Sequence, residues 1–231
     1  FEKEAKDAAD FVKENDDDRA VRADVSRLAA SKLADPASRG TCRAVEFVTD
    51  LPGFDRGHNW ESPKRQVRDA MLARVESLQD GDHLYVETPY FIMKDKGRQA
   101  LEDIAAKKVK TTLLTNGLTS TDAFYVAANF LPRIQVYSHE GLGEVSMFRG
   151  KAAPDALYAK DKDGKEIARN ASWGIHAKTI VFNDRSFSIG TFNVDPRSAN
   201  LNTEMALMCD KSPEMTAFVR KSVEEIGRAH V

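Results

Sequence analysis

The 231 residues carry 34 Lys plus Arg against 36 Asp plus Glu, for a formal net charge of −2. That length can bury a real core, as one large domain or a domain with an appendage, and the near-balance of charge gives no support to broad nucleic-acid binding through a basic surface. No apolar run approaches the roughly 20 residues of a membrane span, and the charged start FEKEAKDAADFVKENDDD does not read as a signal peptide.

Because Phe1 is not an initiator methionine, an excised or processed piece with further sequence upstream is expected. Residues 1–40 read as two polar helices broken around Asn15-Asp16-Asp17-Asp18. The second carries a thin apolar stripe of Val21, Val25, Leu28 and Leu33 before Asp35-Pro36 and Arg39-Gly40 end it. This is too little apolar surface for a domain, so 1–40 is expected to be a helical linker or the tail of a missing upstream lobe. The main lobe then covers 41–231.

From Cys42 the pattern alternates between strands and helices. A strand over 44–48 is followed by a turn-rich loop at 51–57. Ser62-Pro63 then opens a helix, with Ser as N-cap and Pro at the first helical position. Its stripe is Val67, Met71, Val75 and Leu78. A strand over 83–87 leads into Thr88-Pro89-Tyr90-Phe91. Next come a helix over 97–107, a strand over 109–114, a helix over 121–130 and a strand over 133–137. This order predicts an α/β lobe, with a largely parallel mixed sheet flanked by helices on both faces.

Residues 139–172 break the rhythm, with Asp163-Gly164 reading as a hairpin tip. Two strands over 175–182 and 186–190 follow, joined at Asn183-Asp184. The last strand covers 203–209, and Ser212-Pro213 starts a final helix. The two cysteines, Cys42 and Cys209, form no CxxC pair; reduced, buried side chains are expected, without a zinc or disulfide framework.

The chemistry concentrates late in the chain. Residues two apart on a strand share a face, so His176 and Lys178 point into one space. A lone strand histidine is usually structural, but a lysine beside it is costly to bury unless an anion neutralises it. Gly190-Thr191-Phe192-Asn193 lies at the end of the adjoining strand. Gly190 permits close backbone approach there, and Asn193 can donate to a non-bridging phosphate oxygen. Glu204 adds a carboxylate able to orient an imidazole. These parts suit chemistry at a phosphodiester without a metal. The chain holds one such set, since none of His58, His83, His139 and His230 is followed two residues later by lysine.

The set resembles the HxK…GSxN signature of the phospholipase D superfamily. The run from Val194 to Met205 resembles the second catalytic motif of its bacterial cardiolipin synthase C-like branch, and Thr88-Pro89-Tyr90-Phe91 and the stretch 114–122 also resemble that branch. The resemblance spans 42–227 and implies phosphatidyl transfer or phosphodiester hydrolysis with no cofactor. One histidine attacks phosphorus to give a phosphohistidine, and a second protonates the leaving alcohol.

It further implies His176, Lys178, Asn193, Thr191 and Glu204 as catalytic residues, with Glu204 accepting from a ring nitrogen of His176. Thr191 stands where the family has Ser, and Asn183 where it has Asp, with Asp184 next. The larger departure is the single HxK, because family enzymes face two such sets across the site. The implied partners are a phospholipid substrate and either a missing N-terminal lobe or a second copy of this chain. A homodimeric phosphodiesterase or nuclease, and an inactive half-site that only binds phosphate or its partner lobe, are the alternatives. The implied location is a bacterial cytoplasm or the periphery of the inner membrane. Tyr90, Asn116 and Arg197 are candidate substrate contacts, although an aromatic at a strand end also suits the core, and Asn116 with Ser120 and Asp122 also suits helix capping.

Overall fold

The computed structural model describes residues 39–51, 66–150 and 174–228, together with the helical positions Ser26, Arg27, Ala30, Ser31 and Ala34. The rest of the expected N-terminal helices, the loop at 52–57, the Ser62-Pro63 helix start and the Asp163-Gly164 turn lie outside the described residues. The chain divides into two compact units, Phe1–Gly40 with Lys151–Ala171, and Thr41–Gly150 with Ser172–Val231. The second unit carries every strand described below.

In chain order its elements are β1 (Ala44–Thr49), α1 (Gln66–Glu76), β2 (His83–Glu87), α2 (Asp95–Ala106), β3 (Lys110–Asn116), α3 (Phe124–His139) and β4 (Glu144–Phe148). These are followed by β5 (Thr179–Asn183), β6 (Ser186–Gly190), α4 (Pro196–Asn200), β7 (Met205–Asp210) and α5 (Pro213–Arg228). The strands form one seven-stranded sheet in the order β1-β7-β6-β5-β2-β3-β4. Side-chain alternation sorts the strands' residues between two helical layers. Leu84, Val86, Ile180, Phe182 and Met208 pack with Val67 and Met71 of α1 and Leu101 and Ile104 of α2. Tyr85, Val181, Phe187 and Cys209 face the other way, toward Val219 of α5.

The α/β class is as expected, but the parallel share is smaller than the β-α-β order suggests. Among the described strands only β2–β3 and β3–β4 pair in parallel. The pairings β1–β7, β7–β6, β6–β5 and β5–β2 are antiparallel, and β5 and β6 are joined by a tight turn rather than a crossover helix. In that turn the Arg185 amide donates to Asn183 Oδ1 at 2.8 Å. Asn183 thus makes the local side-chain-to-backbone bond that suits it to a turn, and Asp184 is left to pair with Arg220.

Two local expectations fail. Residues 133–137 are not a strand but the continuation of α3 through Pro132. Proline removes one helical hydrogen bond, yet Phe130, Ile134 and Tyr137 recur on one face and are all buried. Within 139–172, residues Glu144–Phe148 form the parallel edge strand β4 beside β3.

The cysteines also depart from expectation. Cys42 and Cys209 form a disulfide with a Cα–Cα distance of 5.5 Å, linking the chain just before β1 to β7. Pairing of β1 with β7 brings the chain just ahead of Ala44 to the end of β7, where the Arg43 amide donates to Ser212 Oγ at 2.8 Å and Cys42 comes within reach of Cys209. The 167-residue separation hid that proximity in the sequence.

Candidate functional site

The candidate residues collect at one end of the sheet, where β2 and β6 finish and β5 and β7 begin. Ahead of β5 the described chain has no regular secondary structure until Thr179, and the Gly190 amide donates to the Lys178 carbonyl at 3.1 Å. The segment is held from beside it by Asn116. The Asn116 amide nitrogen donates to the Ile175 carbonyl at 2.9 Å, and its Oδ1 accepts from the Ile175 amide at 2.7 Å. Asn116 is 2% exposed. Asn116, a candidate substrate contact from the sequence, here spends its polar atoms on the backbone next to His176.

Lys178 does reach His176. Its Nζ lies 3.1 Å from Nδ1 and 3.4 Å from Nε2 of the imidazole, and donates to the His176 carbonyl at 2.8 Å. The two side chains thus meet, although both precede β5 rather than sharing a strand face as the two-residue spacing predicts, with His176 exposed and Lys178 half-buried. Burial holds the Lys178 ammonium below its ordinary pKa, while the charges of Glu204, Asp122 and Asp195 partly offset that effect. A cation so placed is suited to meeting a phosphate oxygen at short range.

Across from this pair, Gly190 lets β6 and β7 close together. A Cβ at Gly190 would stand 2.2 Å from the Met205 carbonyl oxygen. The next residue then turns its hydroxyl inward, and Thr191 Oγ1 donates to Glu204 Oε2 at 2.5 Å. Asn202 Nδ2 donates to the other oxygen, Oε1, at 3.0 Å. Glu204 therefore does not accept from the His176 ring as expected. Both carboxylate oxygens are engaged by Thr191 and Asn202, and its influence on the histidine–lysine pair runs through its charge on Lys178.

Asp50 supports this corner and was not anticipated. It is 2% exposed. Its carboxylate accepts from the Glu204 amide at 3.2 Å and from the Val67 amide at 3.1 Å, tying the corner to the start of α1. Its place at the end of β1 offered no distinguishing spacing to the sequence.

Asn193 sits just beyond β6, with its backbone amide donating to Ser198 Oγ at 3.2 Å. Asp195 caps α4 by accepting from the Ser198 amide at 2.8 Å. The Asn193 Oδ1 is buried without a hydrogen-bond partner. Tyr90 donates its hydroxyl to Asp122 at 2.6 Å, and burial with that carboxylate pushes its pKa up to about 12. Arg197, also a candidate contact, is exposed on the short helix α4.

Residues 75–226 match the family described as "Cardiolipin synthase, PLD-like domain". The chain is 29% identical over 150 residues to an uncharacterized protein of Helicobacter pylori strain 26695, covering 62% of this chain and 27% of that protein. It is 29% identical over 129 residues to cardiolipin synthase C of Escherichia coli K12, covering 56% of this chain and 26% of that enzyme. The chain thus spans about a quarter of the length of these curated relatives. Among solved structures, NucT from Helicobacter pylori superposes with a TM-score of 0.56 at 14% identity, covering 81% of this chain and 98% of NucT. Nuc from Salmonella typhimurium, a phospholipase D family member, superposes at 0.53 and 13% identity, covering 81% and 96%. At these identities the structural likenesses show a shared fold.

Proposed function

Since the chain belongs to the cardiolipin synthase, phospholipase D-like domain family, we propose that it supplies one histidine–lysine half of a site for phosphatidyl transfer or phosphodiester hydrolysis. The observation that carries this reading is the contact of Lys178 Nζ with His176 Nδ1 at 3.1 Å, at the sheet end that also gathers Thr191, Asn193 and Glu204.

In this reading the two halves divide the work. The nucleophilic histidine forms a P–N bond as the P–O bond to the leaving alcohol breaks, and the other histidine gives that alcohol its proton. An acceptor hydroxyl, from water or a lipid alcohol, then donates its proton back and attacks phosphorus, releasing the first histidine. His176 takes the acid–base part. Lys178 and the Asn193 amide nitrogen hold the non-bridging oxygens as their charge grows, and Glu204 keeps Lys178 charged and Thr191 in place. The half-set with the other histidine and lysine comes from further sequence of a longer protein or from a second copy of this chain.

The test is hydrolysis of bis(p-nitrophenyl) phosphate in excess chelator by this chain, beside His176→Asn. Hydrolysis should persist in chelator, and the variant should lose at least 100-fold, on the order of what a positioned general acid or base contributes. A rate per chain that climbs with protein concentration would identify a second copy as the source of the other half. Measurable and equal rates in the parent protein and a folded His176→Asn would sink the assignment, whereas no hydrolysis by either folded protein would place the other half-set in further sequence.

A further inference from the structure

A cavity of about 200 Å³ lies between α1, α2 and the sheet, on the face that carries Ile180. Its walls are largely apolar, with Met71 and Leu72 from α1, Ala100 and Leu101 from α2, Ile180 from β5 and Phe192 beyond β6. That volume falls short of the roughly 300–1,000 Å³ of pockets for compact small molecules. It has room for one narrow apolar chain.

Its position ties it to the site. Ile180 in β5 follows Lys178 by two residues, so the strand that supplies this cavity wall continues directly from the segment that carries His176 and Lys178. Phe192 and Val194, which both line the cavity, flank Asn193 on either side. The rim toward the start of α2 carries Lys94 and Lys96, both exposed. Arg68, also on the lining, is tied to α4 through the Ala199 carbonyl and Asn200. The Asp195 carboxylate on the same lining is occupied as the α4 cap. An apolar interior with a cationic rim matches an amphiphile whose head is anionic.

We infer that this cavity seats one acyl chain of a phospholipid or lysophospholipid whose phosphodiester lies at His176 and Lys178. The placement of the phosphodiester rests on the function proposed above; the acyl seat itself can be tested without turnover. It would make the site selective for lipid over head-group phosphodiesters, because each buried methylene adds to binding.

The test is capture of a palmitoyl lysophosphatidylglycerol bearing a diazirine near the chain end, used below its micellar concentration and mapped by mass spectrometry on the unaltered protein. Adducts are expected on Met71, Leu72, Leu101 and Ile180. Unlabelled palmitoyl lysophospholipid should compete, and glycerophosphoglycerol, which has the head but no chain, should not. Ala100→Phe, which fills the cavity, should cut labelling at least tenfold in a protein whose thermal melt is retained.

Adducts confined to other surfaces of the unaltered protein, competition by the head group alone, or undiminished labelling of folded Ala100→Phe would each overturn the inference. Metal-free hydrolysis without cavity labelling would overturn this inference and leave the proposed function standing. Cavity labelling in a protein that hydrolyses no phosphodiester would do the reverse.

Discussion

Lys178 is the residue on which burial and charge act in opposite directions. Its side chain meets that of His176 two residues earlier, in the segment just ahead of β5. Its proton affinity is another matter, because burial disfavours the ammonium while Glu204, Asp122 and Asp195 favour it. Burial wins, so Lys178 should titrate below the ordinary lysine value of 10.5. Glu204→Gln removes the largest opposing charge and should move that titration lower still. Side-chain NMR of labelled lysine, following Lys178 against pH, measures both steps. A midpoint at or above 10.5 in the parent, or an upward move in the variant, would contradict the arrangement. Asn116 shows the reverse lesson, because an amide of the right type near the right motif turned out to brace the Ile175 backbone.

At the scale of elements, the helix α3 and the disulfide show where local sequence signals yield to packing. Pro132 ordinarily marks a break, but the buried face through Phe130, Ile134 and Tyr137 carries the helix past it. The bridge between Cys42 and Cys209 fastens the outer strand β1 to β7. A cross-link closing a loop of 167 residues restricts the unfolded chain strongly. Reduction, or Cys42→Ser, should lower unfolding stability by roughly 2–5 kcal/mol. Denaturant melts with and without dithiothreitol, with thiol titration to verify the bridge, check this; coincident midpoints would count against it. Such a bond persists in oxidising surroundings and is held open in reducing ones.

For the molecule as a whole, the sheet gathers its polar groups at one end and leaves one carboxyl buried nearby that the chemistry does not use. Glu87, at the end of β2, is 5% exposed, and burial raises its pKa above 4.5 despite a hydrogen bond from Thr179. The sign follows from linkage. A raised folded pKa adds stability that is fully present below the unfolded value of 4.5 and is lost as pH rises through the folded value. At neutral pH the ionised Glu87 therefore weakens the fold, and Glu87→Gln should melt a few °C higher at pH 8, at about 2–4 °C per kcal/mol for a domain of this size. The gap should close near pH 4. Parallel melting curves for the two proteins at both pH values measure it, and a variant less stable at pH 8 would refute the account.

The sequence by itself determined the alternation of strands and helices from residue 42, the apolar stripes of α1 and α2, and the pairing of His176 with Lys178. Each is a relation between neighbours a few residues apart, where helical and strand periodicities apply directly. It also marked Thr191, Asn193 and Glu204 as parts of one site, through a motif rather than through geometry. Only the tertiary structure decided what depends on residues far apart in the chain. The antiparallel half of the sheet, the Cys42–Cys209 bridge, the hold of Asp50 on Glu204, the clamp of Asn116 on Ile175 and the cavity beside Ile180 all join such residues. Strand order and register set those distances, and no local pattern in the sequence encodes them.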